Sequence, residues 1–132
     1  MKTVDIKGKD YVPVHERLIY FNDNFKNGSI ETKILSNENG VVIFQAIAIP
    51  DHETPDRIFT GTAYEKEDST FINKTSYIEN CETSAVGRAL GMMGIGIDTS
   101  VGSADEVANA VNNQGKVTPV SKAPTAITED LF

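Results

Sequence analysis

One run of the chain, Phe71 to Gly96 (FINKTSYIENCETSAVGRALGMMGIG), limits the possible folds more than any other. A capping box, Ser76 with Glu79, opens a helix there, since each side chain can answer a backbone amide of the first turn. Ile78, Cys81 or Glu82, Ala85, Ala89 and Met92 make one face, with Val86, Leu90 and Met93 beside it. Gly94 and Gly96 end it. Gly87 and Gly91 lie on one stripe inside this helix. A glycine in that setting costs roughly 1 kcal/mol relative to alanine. Close packing against a sheet, a second subunit or a ligand has to offset the loss, so Gly87 and Gly91 are expected at a helix-packing or oligomer contact. Arg88 stands beside the stripe, and Lys74, just before the helix, is placed to reach an anion at its N-terminus.

The preceding residues supply what such a helix can cover. After a polar arm at residues 1–10, Pro13 can occupy the first turn of a helix with Val14, Leu18, Phe21 and Phe25 on one face, which Asn27-Gly28 should stop. Ser29 to Ser36 alternates Ile30, Thr32 and Ile34 against Glu31 and Lys33, the pattern of a half-buried strand. Asn39-Gly40 then turns the chain into a second strand, Val41 to Ile49, closed by Pro50. A loop with His52, Pro55 and Asp56 leads to a third strand at about residues 57–65. A second capping box, Ser103 with Glu106, begins a short helix through about Val111. The expectation is an α+β fold: an N-terminal helix, a three-stranded antiparallel meander, a long helix across the sheet and a short C-terminal helix. The alternative is a small barrel of the oligonucleotide-binding type, disfavoured because every convincing strand precedes the glycine-bearing helix.

Residues 11–111 read as a single domain, which is what 132 residues can support around one core. From 112 to 126 the composition turns to Asn, Gln, Gly, Lys, Thr, Pro, Ser and Ala, a linker that cannot bury enough apolar surface to order itself. Residues 127–132 form an acidic tip, in which Glu129, Asp130, Leu131 and Phe132 suit capture by a partner's basic, apolar pocket. No stretch approaches the roughly 20 apolar residues of a membrane span, and MKTVDIKGKD lacks the apolar centre of a signal peptide, so a cytoplasmic setting is expected. Cys81 is alone and reads as a small buried helix residue. With His15 and His52 it forms no metal-ligand spacing, and no cofactor is expected.

Chemistry narrows by exclusion. Neither histidine sits in a nucleophile-base arrangement, and the glycine cluster does not follow a strand with Gly-Lys-Ser/Thr, so neither covalent catalysis nor ATP use is indicated. What remains is a binding surface of Lys66, Phe71, Asn73, Lys74, Thr75, Tyr77, Asn80 and Arg88. Cations and amides suit phosphates, and aromatics suit unpaired bases, each stacked base contributing about 1 to 3 kcal/mol. The net charge of -7 runs against this reading. Lys116 and Lys122 offset Glu129 and Asp130, so the excess lies wholly before residue 113. A polyanion therefore requires a local basic trough with the acidic groups turned away from it.

The segments YVPVHERLIYFNDNFKNGSIETKI, GTAYEKE and NKTSYIENCETSAVGRALGMMGIGID resemble a group of small bacteriophage proteins linked to single-stranded DNA binding and recombination. The helix pattern A-x-G-R-A-L-G-x-x-G-I-G is similar to the core of the Erf and Sak-type single-strand annealing proteins. That resemblance implies homo-oligomeric rings with single-stranded DNA in a basic groove. It carries Lys74, Thr75, Asn80 and Arg88 to the groove, with Tyr64, Lys66 and Phe71 beside it. The Phe132-terminated acidic tail is similar to that of bacterial single-stranded DNA-binding proteins, which implies recruitment of host or phage replication and recombination partners. The leading expectation is thus a non-enzymatic phage protein that coats single-stranded DNA and promotes annealing. A protein-interaction module acting on host or phage DNA machinery is a second, and a metal-dependent hydrolase using Glu65, Glu67 and Asp68 a third.

Overall fold

The computed structural model describes residues 1–97 and 101–116. Their elements are β1 (Val4–Ile6), β2 (Lys9–Tyr11), α1 (Val14–Asn24), β3 (Ser29–Glu38), β4 (Val41–Ile49), β5 (Phe59–Lys66), α2 (Asn73–Met92) and α3 (Ala104–Lys116). The fold is α+β, as expected. Strands β3, β4 and β5 form an antiparallel meander in that spatial order, and among the described residues β3 and β5 are its two edges and the sheet does not close into a barrel. Asn39 and Gly40 both take positive φ, 55° and 75°, which is the hairpin turn their dipeptide favours.

Alternation along β4 decides which face is covered. Val42, Phe44, Ala46 and Ala48 are buried, whereas Val41, Ile43, Gln45, Ile47 and Ile49 are half-buried on the opposite face. Helix α2 packs on β4 and β5 over the first set. It comes down closely on Gly61 of β5, where an added Cβ would lie 2.4 Å from both the Ala85 carbonyl oxygen and the Ala89 amide nitrogen. Small residues on both partners therefore let the helix backbone sit on the strand. Cys81 points into the same layer and donates its thiol to the Ala63 carbonyl at 3.3 Å. Burial pushes that thiol up to about 12, so it serves as a packed donor.

The glycine stripe of α2 faces away from the sheet. A Cβ at Gly87 would meet Val14 Cγ2 at 2.6 Å, and one at Gly91 would meet Arg17 Nη1 at 2.7 Å. The two glycines thus admit α1 of the same chain. Helix α3 closes this side: the Val14 amide donates to Asp105 Oδ1 at 2.8 Å, so an α3 carboxylate satisfies the N-terminus of α1.

Several boundaries differ from the sequence reading for local reasons. Helix α2 begins at Asn73, whose amide is taken by Thr70 Oγ1 at 3.1 Å. Ser76 instead marks a break inside the helix, with φ -139° and ψ 29°. The C-terminus is a paired-carbonyl stop: Ile95 donates to Leu90, Gly94 donates to Gly91, and Gly94 has φ 96°. Helix α1 stops at Asn24 rather than at Asn27-Gly28. Gly28 is needed for space, since a Cβ there would come within 2.5 Å of the Ile49 carbonyl oxygen. The polar arm carries the β1–β2 hairpin, turned by Lys7 and Gly8 at positive φ. Helix α3 runs to Lys116, past the expected linker start at 112; the rest of that linker and the tip residues Glu129, Asp130, Leu131 and Phe132 lie outside the described residues.

Candidate nucleic-acid interface

The corner joining β5 to α2 positions the predicted binding residues. Asn73 Nδ2 donates to Glu65 Oε1 and to Ser69 Oγ, both at 2.8 Å. The Asp68 amide donates to the Asn73 carbonyl at 3.3 Å, and Ser69 Oγ donates to the Lys66 carbonyl at 2.6 Å. These bonds fold residues 66–73 back on themselves, so the last turn of strand and the first turn of helix are pinned together. Lys66 and Lys74 each follow or flank one end of the Glu65–Asn73 bond and are both exposed. Phe71 stands between them in sequence with 77% of its surface in solvent, and Ile72 and Thr75 are exposed beside it.

The corner thus carries Lys66, Phe71, Lys74 and Thr75, all exposed, with Lys66 in phase with Tyr64 on the sheet face away from α2 and Lys74 and Thr75 on α2 itself. Tyr64, two residues before Lys66, is exposed on the uncovered sheet face opposite Ile43. The remaining predicted residues are engaged internally. Tyr77 packs against the core and donates its hydroxyl to Asn37 Oδ1 at 3.3 Å. Asn80 donates to Asn73 Oδ1 at 3.0 Å and accepts from Asn109 Nδ2 at 3.1 Å. Arg88 donates to Glu106 Oε2 at 3.1 Å with only 14% of its side chain exposed. These three hold α2 to β3 and α3, and Asn73, buried at the centre of the amide chain, does the same for β5. Their spacing on the helix was legible, but which side α3 would cover was not.

The electrostatics of this end are mixed. Glu67 and Asp68 are exposed next to Lys66, and Asp68 takes a positive φ of 64° at the tip of the turn. Glu65 faces inward, where burial pushes its carboxyl above the ordinary range. The three acidic residues consequently do not converge, and among the described residues no group of three or more His, Cys, Asp or Glu side chains is placed to hold a metal ion. Among the described residues, too, no helix is long and apolar enough to cross a membrane.

Arg17 is the residue the sequence reading missed. It is fully buried and donates to four backbone carbonyls: Gly87 at 2.7 Å, Val101 at 2.9 Å, Gly96 at 3.2 Å and Gly102 at 3.5 Å. Those carbonyls belong to α2 and to the segment leading into α3, so one guanidinium ties α1 to both. Burial lowers its pKa, opposed by the nearby Glu106 and Asp105 carboxylates. The only sequence signal was a cation within the apolar period of α1, between Val14 and Phe21.

The model of one protein family, Slr1353 N-terminal dsRNA-binding domain-like, matches residues 18–93, from within α1 to the end of α2. No curated protein and no solved structure matches the chain.

Proposed function

The chain belongs to this dsRNA-binding domain-like family, and on that premise we propose that it binds nucleic acid through the β5–α2 corner, taking single-stranded DNA as its ligand. The observation that carries this reading is Phe71, an aromatic ring 77% exposed, with an exposed lysine on either side of it in sequence. A duplex keeps its bases stacked on one another, whereas a single strand offers unpaired faces to such a ring. Lys66 and Lys74 then contact the flanking phosphates. The likeness to phage annealing proteins supports a role in replication or recombination, with strand annealing as the further activity, self-assembly, and partner recruitment through Glu129–Phe132. No catalytic step is part of the proposal.

Few cations at the corner and acidic neighbours mean weak, salt-sensitive binding. With two phosphates neutralised, log affinity should fall against log salt with a slope of roughly -1.4 for a single strand. Fluorescence titration of labelled oligo-dT at two salt concentrations tests this, and absence of binding at low salt overturns it. A second reading, double-stranded RNA, is favoured by the family description; tighter binding of an RNA duplex than of oligo-dT in the same titration would select it.

A further inference from the structure

We infer that two copies of this chain join edge to edge through β3, building a continuous six-stranded sheet. Strand β3 is ten residues long, regular from Ser29 to Ile34 before a register shift between Ile34 and Ser36, lies at the edge of the sheet, and pairs with no further strand among the described residues. Helix α2 barely reaches over it. Ile34 and Leu35 are each 53% exposed there. A long, uncovered edge with apolar side chains is a template for another strand.

The occupant follows from the order of residues along the edge. In an antiparallel pairing of β3 with itself, centred on Thr32, Glu31 falls opposite Lys33 of the second copy and Lys33 opposite its Glu31. Both residues lie on the uncovered face, since they pair with Ile47 and Gln45 of β4. On the helix-bearing face the same register sets Ile30 opposite Ile34, twice, around a central Thr32 pair; these residues pair with Ala48, Phe44 and Ala46. One register therefore satisfies two ion pairs and two apolar pairs at once, and a two-fold axis through Thr32 makes the contact self-complementary. Each Thr32 hydroxyl keeps its bond to Glu82 Oε2 of its own chain, at 2.7 Å. Slipping by one residue would put each side chain on the wrong face.

The test uses the full chain. Light scattering on a sizing column should report twice the 14.4 kDa chain mass. Lys33→Glu sets carboxylates opposite each other at both crossings and should raise the dimer dissociation constant by tenfold or more, a ratio that follows from like charges in direct opposition. Adding Glu31→Lys to that variant reverses both pairs and should restore the dimer. Under mild oxidation Thr32→Cys should cross-link, while Ser29→Cys, about 20 Å from its symmetry mate in this register, should not. A monomer at every concentration overturns the inference, as does a dimer that Lys33→Glu leaves intact or that cross-links at residue 29 rather than 32.

Discussion

Arg88 of α2 and Glu106 of α3 meet at 3.1 Å with both side chains nearly shut off from water. Ser103 still caps α3, accepting the Glu106 amide at 3.3 Å, but the Glu106 carboxylate leaves the expected capping box and turns to Arg88. Its other oxygen, Oε1, is buried without a hydrogen-bond partner. The helix-to-helix contact therefore rests on a carboxylate whose surroundings favour the neutral form.

The pH dependence follows from that burial. Desolvation raises the Glu106 carboxyl from 4.5 to about 7, with Arg88 and Arg17 opposing and Glu65 reinforcing the rise. The folded state thus holds a proton that the unfolded state has lost between about 4.5 and 7. Stability from this group is complete below 4.5 and declines as pH climbs through 7. The linkage is worth up to about 3 kcal/mol across the window. Urea midpoints should fall from pH 5 through 7 and level off toward pH 8 in the native chain, and change much less in Glu106→Gln; parallel curves would show that another group governs the trend.

Arg17 should be the most costly single residue to replace. Arg17→Met leaves the carbonyls of Gly87, Val101 and Gly96 short of a donor in the interior, and unsatisfied buried groups of this kind cost about 1 to 3 kcal/mol each before relaxation. A loss of about 3 to 5 kcal/mol in urea denaturation is expected. Arg17→Lys should recover little of it, because an ammonium cannot span carbonyls spread as a planar fork spans them. Recovery to within about 1 kcal/mol of the native chain would mean that charge alone, not the fork, holds the segment.

Binding and stability should separate within the α2 residues. Phe71→Ala and Lys74→Ala change exposed side chains and should leave the melting point nearly unmoved, since surface substitutions usually fall within about 0.5 kcal/mol. Phe71→Ala should weaken oligo-dT binding by about 1 to 3 kcal/mol, and Lys74→Ala should flatten the salt slope by about 0.7. Arg88→Ala should do the reverse, lowering stability because it strands Glu106. If Arg88→Ala alone abolished binding with the fold intact, the interface would lie on the α3 side of the helix.

What the sequence made legible follows period and turn chemistry. The strand Val41–Ile49 is legible from its Val, Ile and Phe content, but both of its faces are largely apolar, so only the position of α2 decides that Val42, Phe44, Ala46 and Ala48 are the covered set, whereas Asn39-Gly40 announces its own turn. The internal bonds of Arg88, Asn80 and Tyr77 are not legible in the sequence, because a helix has several polar-looking directions and only the positions of α3 and β3 decide which are engaged. Arg17 carries one weak local signal, its place within the apolar period of α1, which does not say that it will bind four carbonyls. Gly87 and Gly91 stand out in the sequence as sites of close approach, but the residues that approach them, Val14 and Arg17, come from about 70 residues earlier in the chain.

Gly61 should tolerate substitution least among the strand residues, although its β5 neighbours are ordinary strand formers. Its φ is not positive, so alanine meets no backbone strain there. The obstacle is α2: a Cβ would press on the Ala85 carbonyl, the Ala89 amide and Arg88 Cβ, all within 2.8 Å. Two of these are backbone and cannot swing aside, so the helix must lift from the sheet, also disturbing the Arg88–Glu106 pair. Overpacking of this kind costs about 1 to 3 kcal/mol. Gly61→Ala should therefore lower the thermal midpoint by several degrees, by roughly 4 to 8 °C per kcal/mol in a domain of this size. Thr62→Ala, one residue on and facing away from α2, should shift it far less; equal shifts would show that strand propensity rather than helix approach sets the requirement for glycine.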